Sequence, residues 1–158
     1  MADAPAQQAE RIRVIACGAI ARETIAVLAG NGMEHVELTC LPAILHNHPE
    51  KIPGEIEREI REARQAGIDK VFVAYADCGT GGLLDKVCKR HRVERIPGPH
   101  CYSFFLGNEE FARDETITAF YLTDFLARQF DAFVTRPLGL DRHPELRDMY
   151  FGNYEKLV

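Results

Sequence analysis

The sequence predicts an α/β fold: a single domain, a mostly parallel sheet with helices on both faces, and a ligand site at the C-terminal ends of the strands. Three observations predict it. Short apolar runs alternate with segments of helical period three times over. Two of the strand-to-helix passages turn on a Cys-Gly pair, Cys17-Gly18 and Cys78-Gly79. At 158 residues, 46% hydrophobic and 27% charged, the chain can bury one core of ordinary size.

Residues 1–10 read as a flexible tail and 11–158 as the domain. Ile12–Ala16 is a short apolar strand that ends at Cys17-Gly18. A helix is expected over Ala19–Gly30, with Ile20, Thr24, Val27 and Leu28 at helical spacing and Asn31-Gly32 as its stop. Val36–Leu41 alternates as a second strand, and Pro42–Pro49 is a loop carrying His46 and His48. The second helix runs from about Pro53, which suits a first turn, to Ala66, with Ile56, Ile60 and Ala63 as its core stripe. Lys70–Ala76 reads as a buried third strand. The turn Asp77–Gly82 follows it, then a helix over Leu83–Arg92. Glu94–Ile96 starts a fourth extended segment, and Pro97-Gly98-Pro99 turns the chain before His100-Cys101-Tyr102. Apolar residues crowd Thr116–Val134 beyond a single stripe, so one long helix is expected there, packed on two sides or at a subunit interface of a homo-oligomer. Pro144–Tyr150 reads as a short helix. Tyr154–Val158 reads as the opening of a strand, which either closes a sheet edge or leads into a C-terminal portion beyond Val158.

Bulk properties exclude several classes. A formal net charge of −5 and the lack of a basic run argue against nucleic acid. No window approaches the ~20 apolar residues of a membrane span, and no signal peptide is recognisable, so a cytoplasmic location is expected. Five cysteines, an odd number without CxxC spacing, read as free thiols or metal ligands rather than a disulfide framework.

In open parallel sheets the ligand sits beyond the carboxyl ends of the strands. Cys17 and Cys78 lie there, and the turn before Cys101 can bring it to the same edge. Three thiolates from separate loops suit a metal, and three protein ligands leave one position open for chemistry. Cys17, Cys78 and Cys101 are therefore the candidate ligands. A [4Fe–4S] cluster with one open iron acting as Lewis acid on a small molecule is favoured over zinc. His46, His48 and His100 are candidates for proton transfer, and a histidine can also replace a sulfur in a zinc site. Gly18, Asp77, Gly79, Thr80 and Gly81 would shape the cofactor pocket, with helix capping as the plainer role for Asp77. Arg22 and Glu23 are candidates for binding a charged substrate group. Cys78, placed before a helix start, is expected to ionise easily. Cys40 and Cys88 read as buried apolar residues, and His35, His91 and His143 as solvated surface. Two other readings stay open. One is a metal-free enzyme using Cys17 and Cys78 as acid and base. The other is a non-catalytic accessory protein that hands over a metal or cofactor.

Four motifs carry a resemblance: Ala16–Glu23 (ACGAIARE), Leu41–Asn47 (LPAILHN), Asp77–Gly82 (DCGTGG) and His100-Cys101-Tyr102. Together with Leu138–Asn153 they resemble the prokaryotic family called domain of unknown function 1638, over about Arg13 to Val158. The resemblance implies an association with corrinoid methyltransferase components, and so with one-carbon or methylated-amine metabolism. Family members carry an acidic residue after the His-Cys-Tyr, where this chain has Ser103, and they continue with a further strand and helices.

Overall fold

The structure is a computed structural model that describes residues 10–113 and 118–158. The expected N-terminal tail falls almost wholly outside the described residues. Four parallel strands form the sheet: β1 (Ile12–Cys17), β2 (Val36–Leu41), β3 (Lys70–Ala74) and β4 (Glu94–Arg95), in the order β2-β1-β3-β4. Strand β1 leaves toward β2 on one side, while the chain later crosses back to β3 on the other. The order of strands therefore reverses between β1 and β3, and a crevice opens at their C-terminal ends.

Helix α1 (Ala21–Gly30), entered through a tight turn at Gly18–Ile20, joins β1 to β2. Helix α2 (Ile52–Gln65) carries the chain across to β3, and α3 (Leu83–His91) carries it on to β4. Right-handed crossovers in opposite directions place α1 on one face and α2 and α3 on the other. The second face holds the main core. Ile15 and Val73 from the strands meet Ile52, Ile56 and Ile60 of α2 and Leu84, Val87 and Cys88 of α3. Each isoleucine so buried contributes about 1.5–3 kcal/mol relative to an exposed one. On the opposite face Val14, Ala16 and Ala74 are buried, while α1 buries no residue fully.

Two expectations are corrected by the fold. No single helix spans Thr116–Val134. Thr116 and Ile117 lie outside the described residues. From Thr118 the chain forms strand β5 (Ala119–Phe120), helix α6 (Asp124–Arg128) and a wide turn at Asp131–Thr135. The cause is local. Thr123 is extended, and its hydroxyl accepts from the Leu126 N–H at 3.2 Å, which starts a helix there. Ala119 and Phe120 before it pair with β6 (Lys156–Leu157) in a second, two-stranded parallel sheet. Before these, α4 (Ser103–Leu106) and α5 (Asn108–Arg113) follow the Pro-Gly-Pro turn. Helix α7 (Arg147–Phe151) precedes β6. The second correction is Cys40, which is exposed on edge strand β2 rather than buried. Among the described residues no helix is long and apolar enough to cross a membrane.

Glu57 fastens α2 to α3. Its carboxylate meets His91 at 2.8 Å, Arg61 at 2.7 Å and Arg90 at 3.1 Å. His91, expected as solvated surface, is half-buried and one half of this clamp. The hydrogen bond from His91 is the largest cause that holds the Glu57 carboxyl down to about 2, against the opposing effect of burial and with help from the two arginines. A carboxyl held below its ordinary range contributes stability that is complete above that range and is lost as pH falls toward the folded value. Acidification from about pH 6 to about pH 3 should therefore lower the melting temperature of the native chain more than that of Glu57→Gln. Equal losses in the two proteins would rule the clamp out as a source of acid sensitivity.

Candidate metal centre

Four side chains meet at the crevice between β1 and β3. Cys17 ends β1 and is wholly buried. The β1–β3 register pairs Ile15 with Val73 and Ala16 with Ala74, so the next step sets Cys17 beside Tyr75. On the other side Cys17 pairs with Leu41 of β2. Gly18 then passes so close to β2 that a Cβ on it would lie 2.8 Å from the Leu41 carbonyl oxygen and 3.3 Å from the Ala43 nitrogen. Its need for glycine is therefore a backbone approach, and that approach brings the Ala43–Asn47 turn over Cys17.

The turn delivers His46. A ring nitrogen, Nδ1, lies 2.9 Å from the Ala43 carbonyl oxygen, and both ring nitrogens lie 3.9 Å from the Cys17 sulfur. Donation from Nδ1–H to the carbonyl leaves Nε2 free as a ligand, the usual arrangement behind a metal-bound histidine. The ring also stacks on Tyr75 at 6.4 Å and 14°.

Cys78 and Cys101 arrive from the far side of the crevice. The exit of β3 runs along the Pro97–Pro99 turn, with Asp77 N–H donating to the Gly98 carbonyl and Cys78 N–H to the Pro99 carbonyl, both at 2.9 Å. This pairing sets the Cys78 and Cys101 sulfurs 3.3 Å apart. Cys78 has φ 48°, a left-handed conformation that costs a side chain with a Cβ roughly 1–2 kcal/mol. Asp77 holds the turn in that shape. Its carboxylate accepts from the Thr80 hydroxyl at 2.7 Å, from Gly82 N–H at 2.9 Å and from Gly81 N–H at 3.1 Å. Asp77, Thr80 and Gly81 thus brace one another, and Gly79 takes the next positive φ, at 84°. Gly98 needs its freedom as well, at φ 140° against the Ser103 and Asn108 side chains. Ser103 is wholly buried and donates to the His100 carbonyl at 2.7 Å, which fixes the Cys101 loop.

The thiol chemistry differs from that expected at the glycine turn. Helix α3 begins only at Leu83, and Asp77 already takes the N–H groups ahead of it. The Cys78 thiol is pushed up, first by its hydrogen bond to Cys101 and then by burial, with His46 opposing. Cys78 is thus a thiol disfavoured as thiolate, in sulfur contact with Cys101. Cys17 is the thiol held down. A hydrogen bond with Cys101 is the main cause; burial opposes it, and the Ala19 N–H, 3.2 Å from the sulfur, adds to it. The Tyr75 hydroxyl is buried without a hydrogen bond of good geometry, yet it faces Cys17 closely enough to favour the thiolate. Burial, and next the Cys17 sulfur beside it, in turn push the phenol up. Burial works to lower the His46 ring, but hydrogen bonds with Cys101, Cys78 and Ala43 raise it to about 10.

The ligand atoms of Cys17, His46 and Cys101 all lie within 4.8 Å of one another, and this group could hold a metal ion. Cys78 stands beside it through Cys101. Of the expected proton-transfer residues, His46 joins the group that could hold a metal. His100 is exposed and lines the cavity mouth, where its ring centroid lies 6.5 Å from that of Tyr102. His48 points to solvent beside Glu50. Arg22 is exposed and does not line the cavity, and Glu23 lines a smaller neighbouring pocket. A cavity of about 470 Å³ opens over His46, Cys78 and Cys101, with Cys17 behind them. Much of its wall comes from the C-terminal segment, through Phe120, Leu126, Phe133 and Phe151, of which the sequence places the first three in a packing helix rather than at the site.

The fold and the site define an α/β protein with a Cys/His/Cys group at the switch point of its sheet, able to hold a metal. The chain belongs to the family described as protein of unknown function (DUF1638), whose model matches residues 40–158. His46, Cys78 and Cys101 fall inside the matched span and Cys17 precedes it. Searches of the curated proteins and of the solved structures found no match.

Gly18→Ala tests the close approach of β1 and β2. The added methyl has only backbone to displace, so a loss of about 1–3 kcal/mol in denaturant unfolding is expected. Gly54→Ala, where a Cβ meets nothing within 4 Å, is the control and should cost nothing or stabilise α2.

Proposed function

We propose that the chain is a metal-dependent enzyme in which Cys17 Sγ, Cys101 Sγ and His46 Nε2 hold one zinc ion. The fourth position would face the cavity and take a small-molecule substrate. One observation carries the reading: the three ligand atoms lie within 4.8 Å of one another. Donors at about 2.0–2.3 Å from one tetrahedral ion stand roughly 3.3–3.8 Å apart, slightly inside the 3.9 Å between Cys17 and His46. The chemistry of the donors agrees with this. Thiolate and imidazole are zinc ligands, and the His46–Ala43 bond orients the imidazole from behind. A zinc ion so held supplies a Lewis acid that polarises an oxygen or sulfur of the bound molecule. The chain's own groups then have plain roles. His46 and Cys17 are fixed from behind by Ala43 and Ala19, Cys78 braces Cys101 by a sulfur contact, and the apolar wall keeps water out.

The [4Fe–4S] cluster is the second reading, favoured by the presence of a third thiol at the site, Cys78. It requires wider spacing, because iron and sulfide atoms stand between the cysteine sulfurs of a cuboidal cluster. Metal and sulfide analysis of anaerobically prepared protein separates the two. One zinc per chain and no acid-labile sulfide is the expected result. Cys101→Ser and His46→Ala should each lose most of the metal, while Cys78→Ala keeps it. A brown protein with iron and sulfide, whose colour is lost in Cys78→Ala, would replace the zinc reading with the cluster.

A further inference from the structure

We infer that the molecule taken at this centre is uncharged and mainly apolar, and reaches the ion through a single neutral donor group. The inference rests on the metal reading above and names the ligand class of that same site. It comes from the charge of the cavity. About 470 Å³ lies within the range of ligand pockets, roughly 300–1,000 Å³. Among the described residues that line it, none is a lysine, arginine, aspartate or glutamate. Its polar groups are neutral hydrogen-bonding side chains such as Asn47 and Thr123, and its titratable imidazoles are His46, a ligand, and His100 at the mouth.

The metal centre adds no net charge. A divalent ion with two thiolates and a neutral imidazole is formally neutral. A carboxylate or phosphate on the open position would therefore bring a negative charge into an apolar space without a cation to meet it, which is costly. Arg22, the cation expected to receive such a group, is exposed and outside the cavity wall.

Nor is the wall arranged for a cation. An aromatic cage receives a positive charge on open ring faces. Here the inner rings Phe120, Phe125, Phe133, Phe151 and Tyr154 occupy each other, and Phe105 and Tyr150 stand exposed. Phe120 meets Phe151 at 5.6 Å and 74° and Tyr154 at 5.3 Å and 77°, and Phe125 meets Phe133 at 5.1 Å and 73°. These are edge-to-face contacts, in which the positive edge of one ring covers the face of another. What such a wall offers is apolar area, and its natural occupant is an uncharged molecule.

The test uses the full chain loaded with cobalt(II), whose visible bands report on the coordination of a thiolate site. Three probes share one imidazole donor and differ in charge: 4-phenylimidazole is neutral, imidazole-4-acetate is anionic and histamine is cationic. Cobalt should bind one per chain, and 4-phenylimidazole should shift the bands with an affinity at least ~10-fold above either charged probe. Phe105→Lys places a cation on the exposed rim of the cavity and should narrow the gap for imidazole-4-acetate. Equal or tighter binding of a charged probe by the native chain would overturn the inference. So would bound cobalt whose bands no probe moves, because the site would then be closed. Failure to bind cobalt at all would instead sink the metal centre, and this inference with it.

Discussion

The parallel register of β1 between β2 and β3 is the constraint on which the site depends. It pairs Cys17 with Leu41 on one side and, one step past Ala16 and Ala74, sets Cys17 beside Tyr75 on the other. The loop bearing His46 leaves from Leu41, and the turn bearing Cys78 leaves from the end of β3. Slipping β1 by one residue would turn Cys17 to the opposite face of the sheet and scatter the group. The helices hold that register. Ile52, Ile56 and Ile60 bury against the face that also carries Ile15 and Val73, so any slip would expose core as well as dismantle the site.

Around that frame, buried polar groups are satisfied in a directed way. The Ala43 carbonyl takes the proton of His46, the Ala19 N–H meets the Cys17 sulfur, and Cys78 and Cys101 meet sulfur to sulfur. Tyr75 keeps a buried hydroxyl aimed at Cys17 without a well-formed bond of its own. Unpaired polar groups in an interior are costly, and they are commonest where a protein binds or reacts. The positive φ of Cys78 belongs to the same pattern. A strained residue persists where its surroundings over-determine it, and here the Asp77 carboxylate and the Gly98–Pro99 carbonyls do so.

The C-terminal third contributes a different kind of surface. Its elements are short, and its aromatic rings pack on one another rather than into the main core. They roof the crevice with apolar area and leave the Cys/His/Cys group as its floor. The sheet edge thus carries the group able to hold a metal while the later segment shapes the space above it, as in α/β folds whose ligand sites are built on loops beyond the strands.

Much of this was legible in the chain itself. Alternating apolar runs and helical stripes fixed four strand positions and the three main helices, because burial of a face imposes its period on the sequence. Cys17, Cys78 and Cys101 could be assigned to one edge, because both Cys-Gly pairs follow strands and the Pro-Gly-Pro turn precedes the third. Only the tertiary structure decided among the histidines. His46 and His48 stand two residues apart in one loop, and a 2.9 Å bond to Ala43 draws one inward while the other pairs with Glu50 in solvent. It also decided which thiol is favoured as thiolate, since that follows from burial and neighbours across the crevice rather than from nearness to a helix start. The aromatic roof was hidden for a like reason. Its strand depends on pairing between β5 and β6, some 37 residues apart at Ala119 and Lys156, and pairing at that distance leaves no local period to read.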